Sequence, residues 1–145
     1  MRDATFAVKL RAPKRRYVLE QGIQLRVARP GESWEKKQLG RYADKRGVYV
    51  HHDGQHILYV GNTTKGDYGT FGERFRRECQ QKASGNSSLY RLLLSRKSPV
   101  HTYLLDYRAL DRLVDSGPLK LTKPRKALIM EQLLIGAFKP KGNQK

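Results

Sequence analysis

Four side chains able to carry out acid–base or phosphate chemistry stand in otherwise apolar or glycine-containing stretches. Tyr49 and Tyr59 lie in two short apolar runs, Arg74 immediately precedes a phenylalanine, and Glu131 interrupts an apolar run near the C-terminus. A phenol can transfer a proton, a guanidinium binds phosphate in a bidentate manner, and a carboxylate is a hard ligand for Mg²⁺. Together these residue types suit hydrolysis of a phosphate ester.

The two tyrosines also have an ordinary structural explanation. Tyrosine fits a half-buried strand, where its hydroxyl finds a hydrogen-bond partner, and this explanation suffices for either tyrosine alone. Gly47 and Gly61 lie beside them in the same runs. Because glycine weakens a strand and often marks a close approach to the backbone, the glycines favour a special role for this segment.

Glu131 shares a predicted helical stripe with apolar residues at three- and four-residue spacings. These residues are Ala127, Leu128, Leu134, Ile135 and Phe138. A carboxylate in such a stripe is costly to bury unless it is paired or binds a metal. A salt bridge with an arginine, or a helix rotated so that Glu131 and Gln132 face water, would explain it equally well.

Arg74 follows Phe71 by three residues in a predicted helix, where its guanidinium can reach a groove from the edge of the core. The alternative is an exposed basic face that it shares with Arg76 and Arg77. Taken by itself, the sequence around Arg74 favours the exposed basic face but leaves both arrangements open.

The elements that would position these residues begin with a hairpin, whose strands near 47–52 and 57–62 flank Asp53-Gly54. Thr70 and Glu73 form a capping box that opens a helix of about 12 residues.

A second helix begins after Asn86, and a third strand spans 99–107. Pro124 opens the final helix, whose apolar composition predicts a central place in the fold. The order predicts an α+β domain with helices packed on a short sheet.

Residues 1–46 are predicted to form a basic N-terminal extension that packs on a main domain of residues 47–145. Within it, residues 17–19 and 23–27 flank Gln21-Gly22, which indicates a small β-hairpin.

Charge is the strongest compositional signal. The 145 residues suit one domain and carry 30 Lys and Arg against 13 Asp and Glu, a formal net charge of +17. Such an excess favours a polyanionic partner, nucleic acid above all, over a merely basic soluble protein. The cations are spread along the chain, which argues against an amphipathic membrane-binding helix.

Several function classes are disfavoured by the remaining composition. No apolar run approaches the roughly 18 residues of a membrane span, and the N-terminus lacks the apolar region of a signal peptide. Cys79, as a single cysteine, excludes an intramolecular disulfide and a cysteine-based zinc site. We therefore expect a cytoplasmic protein with no membrane partner.

Five elements in order resemble the GIY-YIG nuclease superfamily. They are Gly47-Val48-Tyr49, Tyr59-Val60-Gly61, Arg74, Glu131 and Pro140-Lys141-Gly142-Asn143. The resemblance covers residues 47–143, about two thirds of the chain. It implies a small GIY-YIG-like domain with a short mixed sheet of about three strands flanked by helices.

The resemblance also implies divalent-metal-dependent endonuclease activity on phosphodiester bonds, in DNA more than in RNA. It makes Tyr49 the first choice of general base, with Tyr59 orienting the attacking water or exchanging roles with it. Arg74 would bind the scissile phosphate, Glu131 would hold Mg²⁺ or Mn²⁺, and Asn143 corresponds to the family's asparagine.

Elementary electrostatics is compatible with a tyrosine base. A free phenol has a pKa near 10, so about one in a thousand is ionised at neutral pH. One positive charge at about 5 Å, in an effective dielectric of about 20, contributes about 3 kcal/mol and lowers the pKa by about two. Mg²⁺ keeps several waters, so one protein carboxylate is sufficient in principle.

Two features depart from the family pattern. Glu78 stands where relatives often carry a His or Tyr; either this helper is lost, or Glu78 assists the metal or the water, or His101 replaces it. The link before Arg74 is longer than usual and contains Lys65 and Tyr68, which either bind DNA or form an exposed turn. We predict DNA contacts at Lys65, Tyr68, Arg76 and Arg77.

Three hypotheses follow. The chain is an active endonuclease, as monomer or homodimer; or an inactive nucleic-acid-binding protein that retains the fold; or, more weakly, a basic structural protein of a ribonucleoprotein particle.

Overall fold

The chain forms an α+β structure in which helices pack on an antiparallel sheet. The computed structural model describes residues 8–10, 23–28, 36–65, 69–78, 87–96 and 100–144. The described strands are β1 Lys9–Leu10, β2 Ile23–Ala28, β3 Gly47–His52, β4 Ile57–Thr63, β5 Val100–Asp106 and β6 Val114–Asp115. The described α-helices are α1 Lys36–Leu39, α2 Phe71–Glu78, α3 Ser87–Leu94, α4 Tyr107–Leu113 and α5 Lys123–Phe138.

The main sheet has the strand order β2-β5-β3-β4, and every neighbouring pair is antiparallel. The prediction of a mixed sheet is therefore wrong. A tight hairpin makes β4 antiparallel to β3, and the connection through α2 and α3 brings β5 to the opposite side of β3. β4 and β5 consequently run in the same direction but are separated by β3. β4 forms one edge of the sheet.

The predicted hairpin and third strand are confirmed. Asp53 Oδ1 accepts hydrogen bonds from the backbone N–H groups of Gln55 and His56, at 3.0 and 2.7 Å, which closes the turn. Gly54 adopts φ = 90°, a conformation that glycine tolerates best. The turn thus fixes the register in which Tyr49 lies opposite Gly61.

Two apolar layers sandwich the sheet because successive side chains of a strand point to opposite faces. One face, called the α2 face below, buries Tyr49, Leu104, Phe71 and Phe75 together. The other face packs on α4 and α5. Its buried residues include Val48, Val60, Leu105, Leu110, Ala127, Met130 and Leu134.

Helix α5 begins with Thr122 as its N-cap, whose hydroxyl accepts from the N–H of Arg125 at 3.4 Å. It presents one buried stripe to the sheet, while Leu128 is 39% exposed. The prediction of a helix central in the fold is therefore wrong, since one side of α5 faces solvent. None of the described helices is long and apolar enough to cross a membrane.

The two described strands within residues 1–46 pair with strands that follow. β1 pairs with β6, and β2 pairs with β5 as the outer strand of the main sheet. The second half of the predicted N-terminal hairpin is thus a strand, whereas its first half, residues 17–19, lies outside the described residues.

Gly47 and Gly61 are explained by close packing. A Cβ on Gly47 would overlap the carbonyl oxygen of Leu105 on β5, and a Cβ on Gly61 would overlap the hydroxyl and ring of Tyr49. Gly61 therefore provides the space in which the Tyr49 side chain lies across β4.

We expect Gly61→Ala to destabilise the protein by about 1–3 kcal/mol, because the added methyl group overpacks a buried site. Urea unfolding measures the change. Gly136→Ala is the matched control: its Cβ would meet no atom within 4 Å, so the better helix former should stabilise α5 by up to about 1 kcal/mol. An equally stable Gly61→Ala variant would contradict the packing of Tyr49 against Gly61.

Candidate active site

A buried chain of polar side chains crosses the α2 face of the sheet. The Tyr49 hydroxyl donates to Glu78 Oε2 at 2.8 Å, and Glu78 Oε1 lies 3.1 Å from His51 Nε2. His51 Nδ1 lies 2.7 Å from the Thr102 hydroxyl oxygen. An ionised carboxylate only accepts hydrogen bonds. With Glu78 ionised, His51 therefore donates to it from Nε2, and a neutral His51 accepts from Thr102.

Tyr49 is only 1% exposed, so it is not accessible to a substrate water, as the general base implied by the resemblance would have to be. Burial, followed by the negative charge of Glu78, raises the pKa of Tyr49 well above its usual value of 10.0, although Arg74 opposes this shift. A phenol that donates its proton to a buried carboxylate is a poor general base. Its position suits structural support of the site.

Tyr59 occupies the exposed side of this group. It lies on the edge strand β4, opposite His51, and its ring centroid is 6.0 Å from that of Tyr49. The residue is partly exposed. Burial and the charge of Glu78 raise the pKa of Tyr59, the hydrogen bond with Tyr49 and the charge of Arg74 lower it, and Glu131 raises it. Three charged side chains, Glu78, Arg74 and Glu131, therefore influence the pKa of the Tyr59 phenol.

Helix α2 positions Arg74. Thr70 precedes the helix, and its hydroxyl accepts from the N–H of Glu73 at 3.4 Å, which is one half of the predicted capping box, while the Glu73 carboxylate accepts from Arg76. Phe71 and Phe75 anchor the helix in the core. Arg74, between them, is partly exposed and lowers the pKa of both tyrosines. It thus lies over the edge of the core, one of the two arrangements that the sequence left open.

Glu131 reaches β4 from the opposite face of the sheet. Its Oε2 accepts from Asn62 Nδ2 at 2.6 Å, and its Oε1 lies 3.4 Å from Gln132 Nε2. Asn62 Oδ1 in turn accepts from the Thr64 hydroxyl at 2.8 Å. Glu131 is partly exposed, and among the described residues its close partners are amides and not an arginine, so no described cation occupies its carboxylate oxygens.

The Glu131 carboxylate is a ligand type that Mg²⁺ accepts, and each of its oxygens can take more than one contact. Asn62 bonds Glu131 through its amide nitrogen and Thr64 through its amide oxygen, so it supports the carboxylate and supplies no second ligand in this arrangement. Within the part of the chain that the structure describes, no three His, Cys, Asp or Glu side chains cluster as a metal site. A site here would therefore depend on one carboxylate, water and substrate oxygens.

Asn143 holds the C-terminal segment against β4. Its side-chain amide accepts from the N–H of Val60 and donates to the carbonyl of Val60, both at 2.8 Å. Gly142 allows this approach, because a Cβ there would overlap the carbonyl oxygen of Leu58. Asn143 thus satisfies the edge of β4 beside Tyr59, which is a positioning role.

The other predicted contacts lie around the site or outside the described residues. Arg76 pairs with Glu73 at 2.9 Å, and Arg77 is exposed like Lys65. Tyr68 lies outside the described residues. His101 stacks on His52, which points to the opposite face of the sheet from Tyr49, so His101 does not take the place of the family's helper residue.

Sequence reasoning missed three residues, His51, Thr102 and Asn62. The alternation of β3 places His51 on the same face as Tyr49, which was a usable signal. Thr102 and Asn62 have no comparable signal, because their roles depend on which strands become neighbours.

The predicted site residues collect around one strand. Arg74 and Glu131 both influence the pKa of Tyr59, and Asn143 binds the strand that carries Tyr59. No protein-family model matches the chain, and neither a curated protein nor a solved structure matches it.

Proposed function

We propose that this protein is a GIY-YIG-type endonuclease that hydrolyses phosphodiester bonds in DNA with the help of Mg²⁺ or Mn²⁺. The observation that carries the proposal is the place of Tyr59 on the edge strand β4, to which Asn62 also binds Glu131 of α5 at 2.6 Å. Arg74 lies on α2, on the opposite face of the sheet from α5, and both charged groups influence the pKa of Tyr59. A phenol between a phosphate-binding cation and a metal-binding carboxylate is suited to phosphoryl chemistry.

In this mechanism Tyr59, not Tyr49, accepts the proton of the attacking water. The water oxygen forms a bond to phosphorus, one ester P–O bond breaks, the water proton passes to the Tyr59 phenolate, and the departing oxygen takes a proton from solvent. Arg74 binds the non-bridging oxygens and stabilises the developing negative charge. A divalent cation held by Glu131 would offset the Glu131 charge, which raises the pKa of Tyr59 in addition to burial and Glu78, and would polarise the phosphate.

Tyr49 has a supporting role in the proposal. Its hydroxyl donates to Glu78, its ring lies 6.0 Å from that of Tyr59, and it packs at 4.9 Å from Phe75 on the helix that carries Arg74. Tyr49 therefore links the strand and the helix of the site. This assignment exchanges the roles that the resemblance implied for the two tyrosines.

DNA is the proposed substrate because the net charge of +17 favours a polyanion and the chemistry favours a phosphate ester. Arg76, Arg77 and Lys65 provide exposed cations near α2 for non-specific backbone contacts.

Plasmid relaxation tests the proposal. Wild-type protein in Mg²⁺ or Mn²⁺ should nick supercoiled DNA, and EDTA should stop the reaction. The matched control is the double variant Tyr59→Phe/Glu131→Gln, purified identically, which should not nick. Equal nicking by both proteins would assign the activity to a contaminant or another site, and no nicking of any DNA form by the wild type would refute the proposal.

A second candidate is a nucleic-acid-binding protein without hydrolytic activity. The observation that favours it is the burial of Glu78, which is 1% exposed and already bonded to Tyr49 and His51, so it offers no exposed helper group. This hypothesis predicts salt-dependent DNA binding without cleavage.

A further inference from the structure

A basic cavity lies beyond the candidate active site, at the end of the main sheet. It has a volume of about 660 Å³ and is lined by six cationic side chains. They are Arg41, Lys45, Arg46, Arg108, Arg112 and Lys123. They come from three separate segments, so the fold gathers them; no single run of charge does so.

Among the described residues that line the cavity, Asp106 is the one carboxylate. Its Oδ1 accepts from the N–H of Ala109 at 3.0 Å, as the N-cap of α4. It therefore serves the helix, and a single carboxylate does not balance the five lining cations other than Arg46. Like charges held together are destabilising, which makes a bound anion the simplest compensation.

The lining also suits phosphate in detail. Four of the cations are arginines, whose planar forks bind phosphate oxygens in a bidentate manner. The Arg41 guanidinium is oriented by Tyr42, with its Nη2 3.0 Å from the hydroxyl and its central carbon 5.1 Å from the ring centroid. The volume lies in the range of sites that hold a nucleotide-sized group.

The cavity is on the same face of the sheet as Tyr59. Tyr59 lies opposite His51, which lies opposite Thr102, and Asp106 follows Thr102 by four residues along β5. Crossing two strand spacings covers about 10 Å, and moving four residues along β5 covers about 14 Å. Because these two directions are perpendicular, Tyr59 and Asp106 are about 17 Å apart. One duplex strand rises 3.4 Å per nucleotide, so this corresponds to about five base pairs.

We propose that the cavity binds backbone phosphates of the DNA about five base pairs from the phosphate held by Arg74. The inference rests on the proposed function for the identity of its ligand, but not on hydrolysis. It makes the segment before β3 and the helix after β5 a second contact region that anchors the substrate.

Binding without cleavage tests the inference. The Glu131→Gln variant in EDTA is titrated into a fluorescent 24-base-pair duplex over 50–300 mM KCl. Adding Arg108→Gln and Arg112→Gln should lower the slope of log K against log salt by about 2, and the affinity at 100 mM by about tenfold or more. The matched control adds Lys9→Gln and Arg91→Gln, exposed cations outside the cavity, and should change both quantities much less.

Equal slopes and affinities for the cavity and control variants would overturn the inference. A cavity variant that loses binding of a fluorescent nucleoside diphosphate but keeps the DNA slope would also overturn it, because the ligand would then be a free nucleotide. If the cavity variant lowers the slope of log K against log salt but the wild-type protein never cleaves DNA, the result would support phosphate binding in the cavity and refute the endonuclease proposal.

Discussion

Replacing Tyr59 by phenylalanine is expected to lower the single-turnover rate of DNA cleavage by about 10²–10⁴-fold, the usual contribution of a general base. The substitution removes one partly exposed hydroxyl and leaves the ring on β4, so DNA affinity and the free energy of unfolding should change little. Below the pKa of Tyr59, the wild-type rate at saturating Mg²⁺ should rise about tenfold per pH unit, since burial raises that pKa. Tyr59→Phe should lose this dependence.

Tyr49→Phe is the matched control, because it removes the equivalent hydroxyl from the buried tyrosine. It leaves Glu78 Oε2 without the donor at 2.8 Å and should cost about 1–3 kcal/mol of stability. Its effect on the cleavage rate should be smaller than that of Tyr59→Phe and should leave the pH dependence in place. The reverse pattern would return the role of base to Tyr49, as the resemblance alone implied.

Replacing Glu78 by alanine is expected to destabilise the protein by about 3–5 kcal/mol, because two buried polar partners each lose a hydrogen bond, at about 1–3 kcal/mol apiece, and a cavity forms. The side chain is 1% exposed and its two oxygens bond Tyr49 and His51. Its removal leaves a buried hydroxyl and a buried imidazole without their partner and opens a cavity beside Phe75. Urea unfolding at neutral pH measures the loss.

Glu78→Gln distinguishes the stability that comes from the hydrogen bonds of Glu78 from the stability that comes from its negative charge. The amide keeps the shape, can accept from Tyr49, and can donate to His51 Nε2 once His51 carries its proton on Nδ1 and donates it to Thr102. We therefore expect a smaller loss, of about 1–2 kcal/mol. If Glu78→Ala were as stable as wild type, Glu78 would not hold β3 to α2, and the supporting role of Tyr49 would fail with it.

The helices and strands of residues 47–145 could largely be predicted from local sequence signals. Asp53-Gly54 encodes a turn, Thr70 a helix N-cap, and Pro124 a helix start, and each acts within a few residues. The strand direction in the sheet could not be predicted in this way. It depends on the side of β3 at which β5 arrives, which is a property of the helices in between.

The candidate site shows the same division. The types and order of Tyr59, Arg74 and Glu131 predicted which side chains could act. The burial of Tyr49 was not predictable from alternation, because alternation places Tyr49 and His51 on one face without saying which helix covers that face. Glu78, at the end of α2, provides the missing information, because its carboxylate bonds both Tyr49 and His51. Tyr49, predicted to be the general base, is therefore a buried supporting residue.

The prediction for Gly61 was also correct in position but incomplete. Gly61 was predicted to mark a close approach to the backbone, and the approaching group is the Tyr49 side chain of the same hairpin. Close approach therefore identified the right position, but only the three-dimensional packing identifies the group that occupies it.

Crystals of Tyr59→Phe grown with a short DNA duplex and Mn²⁺ would test the central claim most directly, through the anomalous signal of the metal. The account predicts a peak in contact with a Glu131 oxygen, and a backbone phosphate that contacts both this peak and the Arg74 guanidinium beside the ring of residue 59. A phosphate bound elsewhere, with Glu131 still bonded only to Asn62 and no metal beside it, would contradict the account.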